Sequence, residues 1–117
     1  MLVVKVWCLP VQTEEQLQEL HQSIVKALKD TQELKVKDEK DIMVLFPSDM
    51  MKYGLGQDIL IEISGSHLFL ASNIDFLGVR LTKGVGVVVQ RHFPDAKIQC
   101  DLHNMRAESS WFSGKTQ

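Results

Sequence analysis

No window of this 117-residue sequence approaches the roughly 20 apolar residues of a membrane span. The opening Met1-Leu2-Val3-Val4-Lys5-Val6-Trp7 is too short and wrongly flanked for a secretory leader, so it reads as a strand. Cysteine is scarce. Cys8 and Cys100 form no CxxC and no Cys/His spacing, which makes a zinc site or disulfide framework unexpected, and both fall on the apolar phase of predicted strands. Buried free thiols in a cytoplasmic protein are the expectation. His67, His92 and His103 share no ligand spacing with one another or with a carboxylate, so no metal is expected. Neither sign of charge dominates: thirteen basic against fifteen acidic residues give a formal charge of -2, and no basic stripe is visible. That balance argues against nucleic acid or an acidic membrane as partner.

With 44% apolar and 24% charged residues, the chain fits a single domain, 1–117, that can bury a core. Leu2 to Leu9 is β-branched and aromatic until Pro10 removes a backbone donor, which predicts a first strand. Thr13 and Gln16 form a capping box, Glu14 and Glu15 suit the positive end of a helix dipole, and Leu17, Leu20, Ile24 and Leu28, with Val25 beside them, keep helical spacing. A helix over 13–30 follows, with His21 on its stripe as a partly buried packing residue. The charged run Lys35-Val36-Lys37-Asp38-Glu39-Lys40 reads as a solvated connection.

Ile42 to Phe46, stopped by Pro47, and Ile59 to Ile63, stopped by Ser64-Gly65-Ser66, are two further strands. Tyr53-Gly54-Leu55-Gly56 between them supplies residues that tolerate positive φ for an irregular return. Ser72 and Asp75 open a second helix over 73–92, whose predicted apolar face is Ile74, Leu77, Leu81, Val85 and Val88. Gly84 and Gly86 inside it call for close packing or a bend. Ala96 to His103 alternates, with Ile98, Cys100 and Leu102 toward the helices.

The order β-α-β-β-α-β predicts an α+β, two-layer α/β fold: two parallel strand pairs, each bridged by a helix, with both helices on one face of a four-stranded sheet. The other face would carry Val3, Lys5, Trp7, Met43, Leu45, Leu60, Glu62 and Asp101, a mixture unlike a solvated surface. An oligomer packed through this face is expected. A ferredoxin-like metabolite-binding domain shares the element order and is the alternative architecture.

Two segments make the pattern more specific. Ile42-Met43-Val44-Leu45-Phe46-Pro47-Ser48-Asp49-Met50-Met51-Lys52-Tyr53-Gly54 places a strand, proline, short turn and aromatic-glycine pair in order, and Lys97-Ile98-Gln99-Cys100-Asp101-Leu102-His103-Asn104-Met105 is followed by Ala107 and Trp111. Both resemble the tautomerase superfamily of the macrophage migration inhibitory factor and 4-oxalocrotonate tautomerase type. The resemblance implies a tautomerase-like homotrimer with small-molecule pockets between subunits and cofactor-independent proton transfer on a small keto or enol acid.

The chain departs from that family at the catalytic position, where an amino-terminal proline follows the initiator Met; here the second residue is Leu2. Leu2 would block removal of Met1, whose primary amine is then the candidate base, since α-amino groups ordinarily titrate at about 7.7–8.0. Lys37 and the backbone near Ser64 and Gly65 are candidates to stabilise the enolate oxygen. By resemblance, Gln99 and Asp101 line the neighbouring subunit's pocket and Trp111 forms an aromatic wall. Asp101, Glu62, Lys5 and Lys97 read equally as an interfacial ion-pair network, Trp111 as a packing residue, and the whole chain as a non-catalytic interaction protein on the same fold.

Overall fold

The computed structural model describes residues 2–31, 39–48, 58–65 and 74–104. Strand β1 (Leu2–Trp7) leads to helix α1 (Glu14–Lys29), a short 3-10 turn (Glu39–Asp41), β2 (Ile42–Leu45), β3 (Ile59–Gly65), helix α2 (Ile74–His92) and β4 (Ile98–Asn104). The sheet order is β2-β1-β3-β4. β1 runs parallel to β2, β3 runs parallel to β4, and the two halves meet antiparallel at β1 and β3. Parallel partners cannot be joined by a tight turn, so α1 and α2 serve as the crossovers. This is the architecture expected from the element order.

The core follows from period-two alternation meeting helical stripes. Leu2, Val4 and Val6 of β1 and Ile59, Ile61 and Ile63 of β3 are buried together with Leu20, Ile24, Val25 and Leu28 of α1 and Leu81, Val85 and Val89 of α2. Removing each such side chain from water contributes about 1.5–3 kcal/mol. Both helices therefore share one face of the sheet, and among the described residues no element covers the face carrying Val3, Lys5 and Trp7.

The capping box at α1 is formed: Gln16 N–H donates to Thr13 Oγ1 at 3.1 Å and Thr13 N–H donates to Gln16 Oε1 at 2.9 Å. At the other crossover, the Gln90 side-chain amide ties down the exit of α2 by donating to the carbonyls of Phe93 at 2.8 Å, Pro94 at 3.1 Å and Ala96 at 3.0 Å. That exit holds Ala96 in a turn, so β4 begins at Ile98 and not at Ala96.

Other boundaries shift for local reasons. β1 ends at Trp7 because Cys8 takes φ 70, a left-handed conformation that turns the chain, while its N–H donates to Pro47 O at 3.1 Å. Cys8 thus lies beyond the strand, partly buried, and Cys100 is also partly buried, so neither is the fully buried thiol expected. β2 stops at Leu45, one residue short of Phe46. β3 continues to Gly65 because Gly65 pairs with both Leu2 and Asn104. On α2, Val89 holds the buried position and Val88 is only partly buried. His21 is exposed, since the α1 stripe turns through Leu20 and Ile24 and leaves residue 21 outside it. Tyr53, Gly54, Leu55, Gly56 and Ser72 lie outside the described residues.

Gly84 and Gly86, two of the three glycines of α2, differ. A Cβ on Gly86 would lie 3.8 Å from Cys100 Cβ, so Gly86 does pack closely on β4, whereas a Cβ on Gly84 would meet nothing within 4 Å. Gly84→Ala is therefore expected to raise stability by about 0.5–1 kcal/mol through helix propensity alone, read as a higher urea midpoint. Gly86→Ala should gain a similar amount, because the added methyl meets Cys100 Cβ at ordinary van der Waals distance.

Candidate functional site

The face of the sheet opposite the helices is built by strand register. Trp7, Leu60 and Gln99 form one row across β1, β3 and β4, Lys5, Glu62 and Asp101 the next, and Val3, Ser64 and His103 the third. β2 adds Leu45 beside Lys5 and Met43 beside Val3, each 41% exposed. Exposed apolar side chains at one edge and charged ones at the centre make this a mixed surface.

Glu62 is its polar hub. The Trp7 indole Nε1 donates to Glu62 Oε1 at 2.6 Å, and His103 Nε2 lies 3.4 Å from Glu62 Oε2. Asp101 is engaged by its strand neighbour, accepting from Gln99 Nε2 at 2.9 Å. Within one copy, Glu62 turns to Trp7 and His103, and Lys97 contributes its backbone N–H to Asp58 Oδ2 at 2.9 Å. Strand pairing brings His103 a carboxylate, Glu62, from 41 residues away. No spacing rule along a chain detects that contact; the alternation of β3 and β4 was the available signal. Among the described residues, no group of three or more His, Cys, Asp or Glu converges on a metal position.

The second feature is a corner of the sheet. Because β1 opposes β3 and β4 parallels β3, the start of β1 lies beside the ends of β3 and β4: Leu2 pairs with Gly65, and Gly65 with Asn104. Ser64 and Gly65 therefore stand at the point from which β1 begins. Leu2 itself is fully buried. Gln99 lies level with Leu60, four residues before Ser64, or about 13 Å away at strand rise. Within one chain, Gln99 is thus separated from the Ser64–Gly65 corner. Met1, Lys37 and Trp111 lie outside the described residues.

Two grooves sit away from this face. One, about 430 Å³, runs between α2 and β4, with Val79, Thr82, Val87 and Ile98 along it and Cys100 among its lining residues. Burial, and secondarily the adjacent Asp101 carboxylate, push the Cys100 thiol up to about 12, so this sulfur is protonated at neutral pH and a poor nucleophile. The other, about 440 Å³, lies along α1 by His21, Lys26 and Lys29. No described helix is long and apolar enough to cross a membrane.

No protein-family model matches the sequence, and no curated protein sequence matches it either. Solved structures do match. A macrophage migration inhibitory factor of Toxoplasma gondii superposes with TM-score 0.64 at 16% identity, over 97% of this chain and 97% of that one. A fused 4-OT described as an asymmetric trimer gives TM-score 0.68 at 15% identity, over 97% and 94%. A malonate semialdehyde decarboxylase gives TM-score 0.60 at 14% identity, over 98% and 92%. Coverage near the whole length of both partners excludes a shared fragment, and identities this low carry the fold rather than the chemistry. With two β-α-β halves joined antiparallel and helices on one face only, the chain has the tautomerase fold.

Proposed function

We propose that the chain is a self-assembling tautomerase-like protein, a homotrimer built through the open sheet face, that holds a small keto or enol acid between copies and transfers its proton weakly without a cofactor. The observation that supports this reading is the sheet corner, where the start of β1 meets Ser64 and Gly65. A base at Met1 would precede that corner, with Ser64 and Gly65 as the proposed place for an enolate oxygen. In the reaction, the neutral amine accepts the enol hydroxyl proton and a proton returns to the adjacent carbon, giving the keto form. Lys37 would supply a cation, while Gln99, Asp101 and Trp111 would come from a neighbouring copy. The separation of Gln99 from the corner within one chain fits that division of labour. Asp101 also explains why activity would be weak, since a carboxylate near the site repels an anionic acid and favours the protonated amine.

The test is enol-to-keto conversion of phenylenolpyruvate and 4-hydroxyphenylpyruvate on protein of verified N-terminus and mass. Slow turnover that is lost when the terminal amine is blocked is the expected result. A wild type without turnover, beside a Leu2→Pro variant lacking Met1 that folds and turns over, would overturn Met1 as base while keeping the pocket. Silence from both would leave an interaction protein.

A further inference from the structure

On the open face, His103 stands among carboxylates. Glu62 Oε2 is 3.4 Å from its Nε2, and Asp101 is two residues back on the same face of β4. The nearest cation of the face in register, Lys5, is on β1, one strand further away. Lys97 and Asp58 adjoin each other where β3 and β4 begin, at the far end of those strands. Asp41 precedes β2 at the opposite edge, three strand spacings or about 14 Å off, beyond the screening length of about 8 Å at physiological salt. Arg80 and Lys83 belong to α2, which covers the other face of β4. At that far end Lys97 and Asp58 cancel each other, so near His103 only Lys5 among the residues named opposes Glu62 and Asp101, leaving one uncompensated negative charge while His103 is neutral and none once it is protonated.

We infer that His103 and Glu62 make assembly of this chain through its open sheet face pH-dependent, with copies associating more tightly as the solution is acidified and His103 takes up a proton. The inference rests on the assembly reading above and adds its regulation. The partner is a second copy, as the surface carries both signs of charge and the exposed Met43 and Leu45 together, and can therefore complement itself. Covering the face removes the water that solvates Glu62 and Asp101, and a buried carboxylate without a counter-charge is strongly unfavourable. Trp7 supplies Glu62 with one hydrogen bond and no charge. His103, 54% exposed in the single chain, supplies the charge when protonated and loses its solvent only on assembly. Histidine is the side chain whose charge ordinarily changes between about pH 5 and 8. By linkage, the state that binds more protons gains as pH falls, and here that state is the assembly.

Sedimentation equilibrium of the full chain at fixed ionic strength, from pH 8 to pH 6, decides the matter. For wild type, the dissociation constant of the assembly, taken per copy, is expected to fall by roughly tenfold over that range, which corresponds to an average uptake of about half a proton per copy. His103→Gln should flatten the dependence. Glu62→Gln should reverse its direction, because the face is then neutral with neutral His103 and positive with protonated His103. Equal assembly at every pH would overturn the inference and leave the assembly reading standing, as would a His103→Gln or Glu62→Gln protein that keeps the wild-type trend. A chain that stays monomeric at all pH values would overturn the assembly reading itself, and this inference with it.

Discussion

Alkylation of Cys100 by iodoacetamide at pH 8 is expected to proceed about a thousandfold more slowly in the folded chain than in urea. The thiolate is the reacting species, and moving the thiol from 9.0 to about 12 cuts its population at that pH by about three powers of ten. Burial is the larger cause, so Asp101→Asn should recover only a small part of the rate. A Cys8→Ser background leaves Cys100 as the single sulfhydryl and makes the reading unambiguous. Folded and unfolded rates within tenfold of each other would show that the α2–β4 groove admits water to the sulfur. The same shift has a stability consequence. The folded state keeps the thiol proton that the unfolded state releases, so this contribution is complete below about pH 9 and is lost as pH rises toward about 12. Alkaline unfolding should therefore be partly relieved in Cys100→Ser, provided both proteins are compared at equal concentration.

Ile61→Ala should lower the unfolding free energy by about 2–5 kcal/mol, a large share of the roughly 5–15 kcal/mol that holds a domain folded. Ile61 is completely buried in the inner strand β3, in register with Val6 on one side and Cys100 on the other. Strands fix the backbone on both flanks and the helices cover it from above, so the cavity left by three lost carbon atoms cannot close easily. Urea unfolding would show this as a fall in midpoint with the slope unchanged. Val79→Ala is the contrast: Val79 is 65% exposed on α2, and its loss should cost less than about 0.5 kcal/mol. Because an assembling chain is stabilised by its own concentration, both measurements belong at one fixed dilution. An Ile61→Ala protein within about 1 kcal/mol of wild type would mean that the sheet and helices repack as a loose layer.

What could be read from the sequence was whatever has a short period. Alternation in Leu2–Trp7 and Ile98–Asn104, the helical stripe of Leu20, Ile24 and Leu28, and the Thr13–Gln16 capping box are local signals, and each was expressed in the fold. The misplaced details mark where local signals compete. Cys8 reads as strand until the chain turns at a left-handed residue held by Pro47, and His21 reads as stripe until the helix face is fixed by contact with the sheet. Val88 and Val89 both fit an apolar helix in sequence, and packing decided that Val89 goes inside.

The candidate site divides in the same way. Sequence placed Lys5, Trp7, Glu62 and Asp101 on one face, because side-chain parity along a strand is a local property. It could not place Glu62 between Trp7 and His103, nor Ser64 and Gly65 at the start of β1, because those contacts depend on which strands pair and in what register. The sequence by itself determined the elements, their order, the helix-facing side of each strand and the mixed character of the opposite side. Tertiary structure alone decided the strand order β2-β1-β3-β4, the carboxylate hub and the sheet corner. The physical reason is that hydrophobic periodicity is encoded over three or four residues, whereas hydrogen bonds between strands are drawn from anywhere in the chain and are chosen by the packing of the whole core.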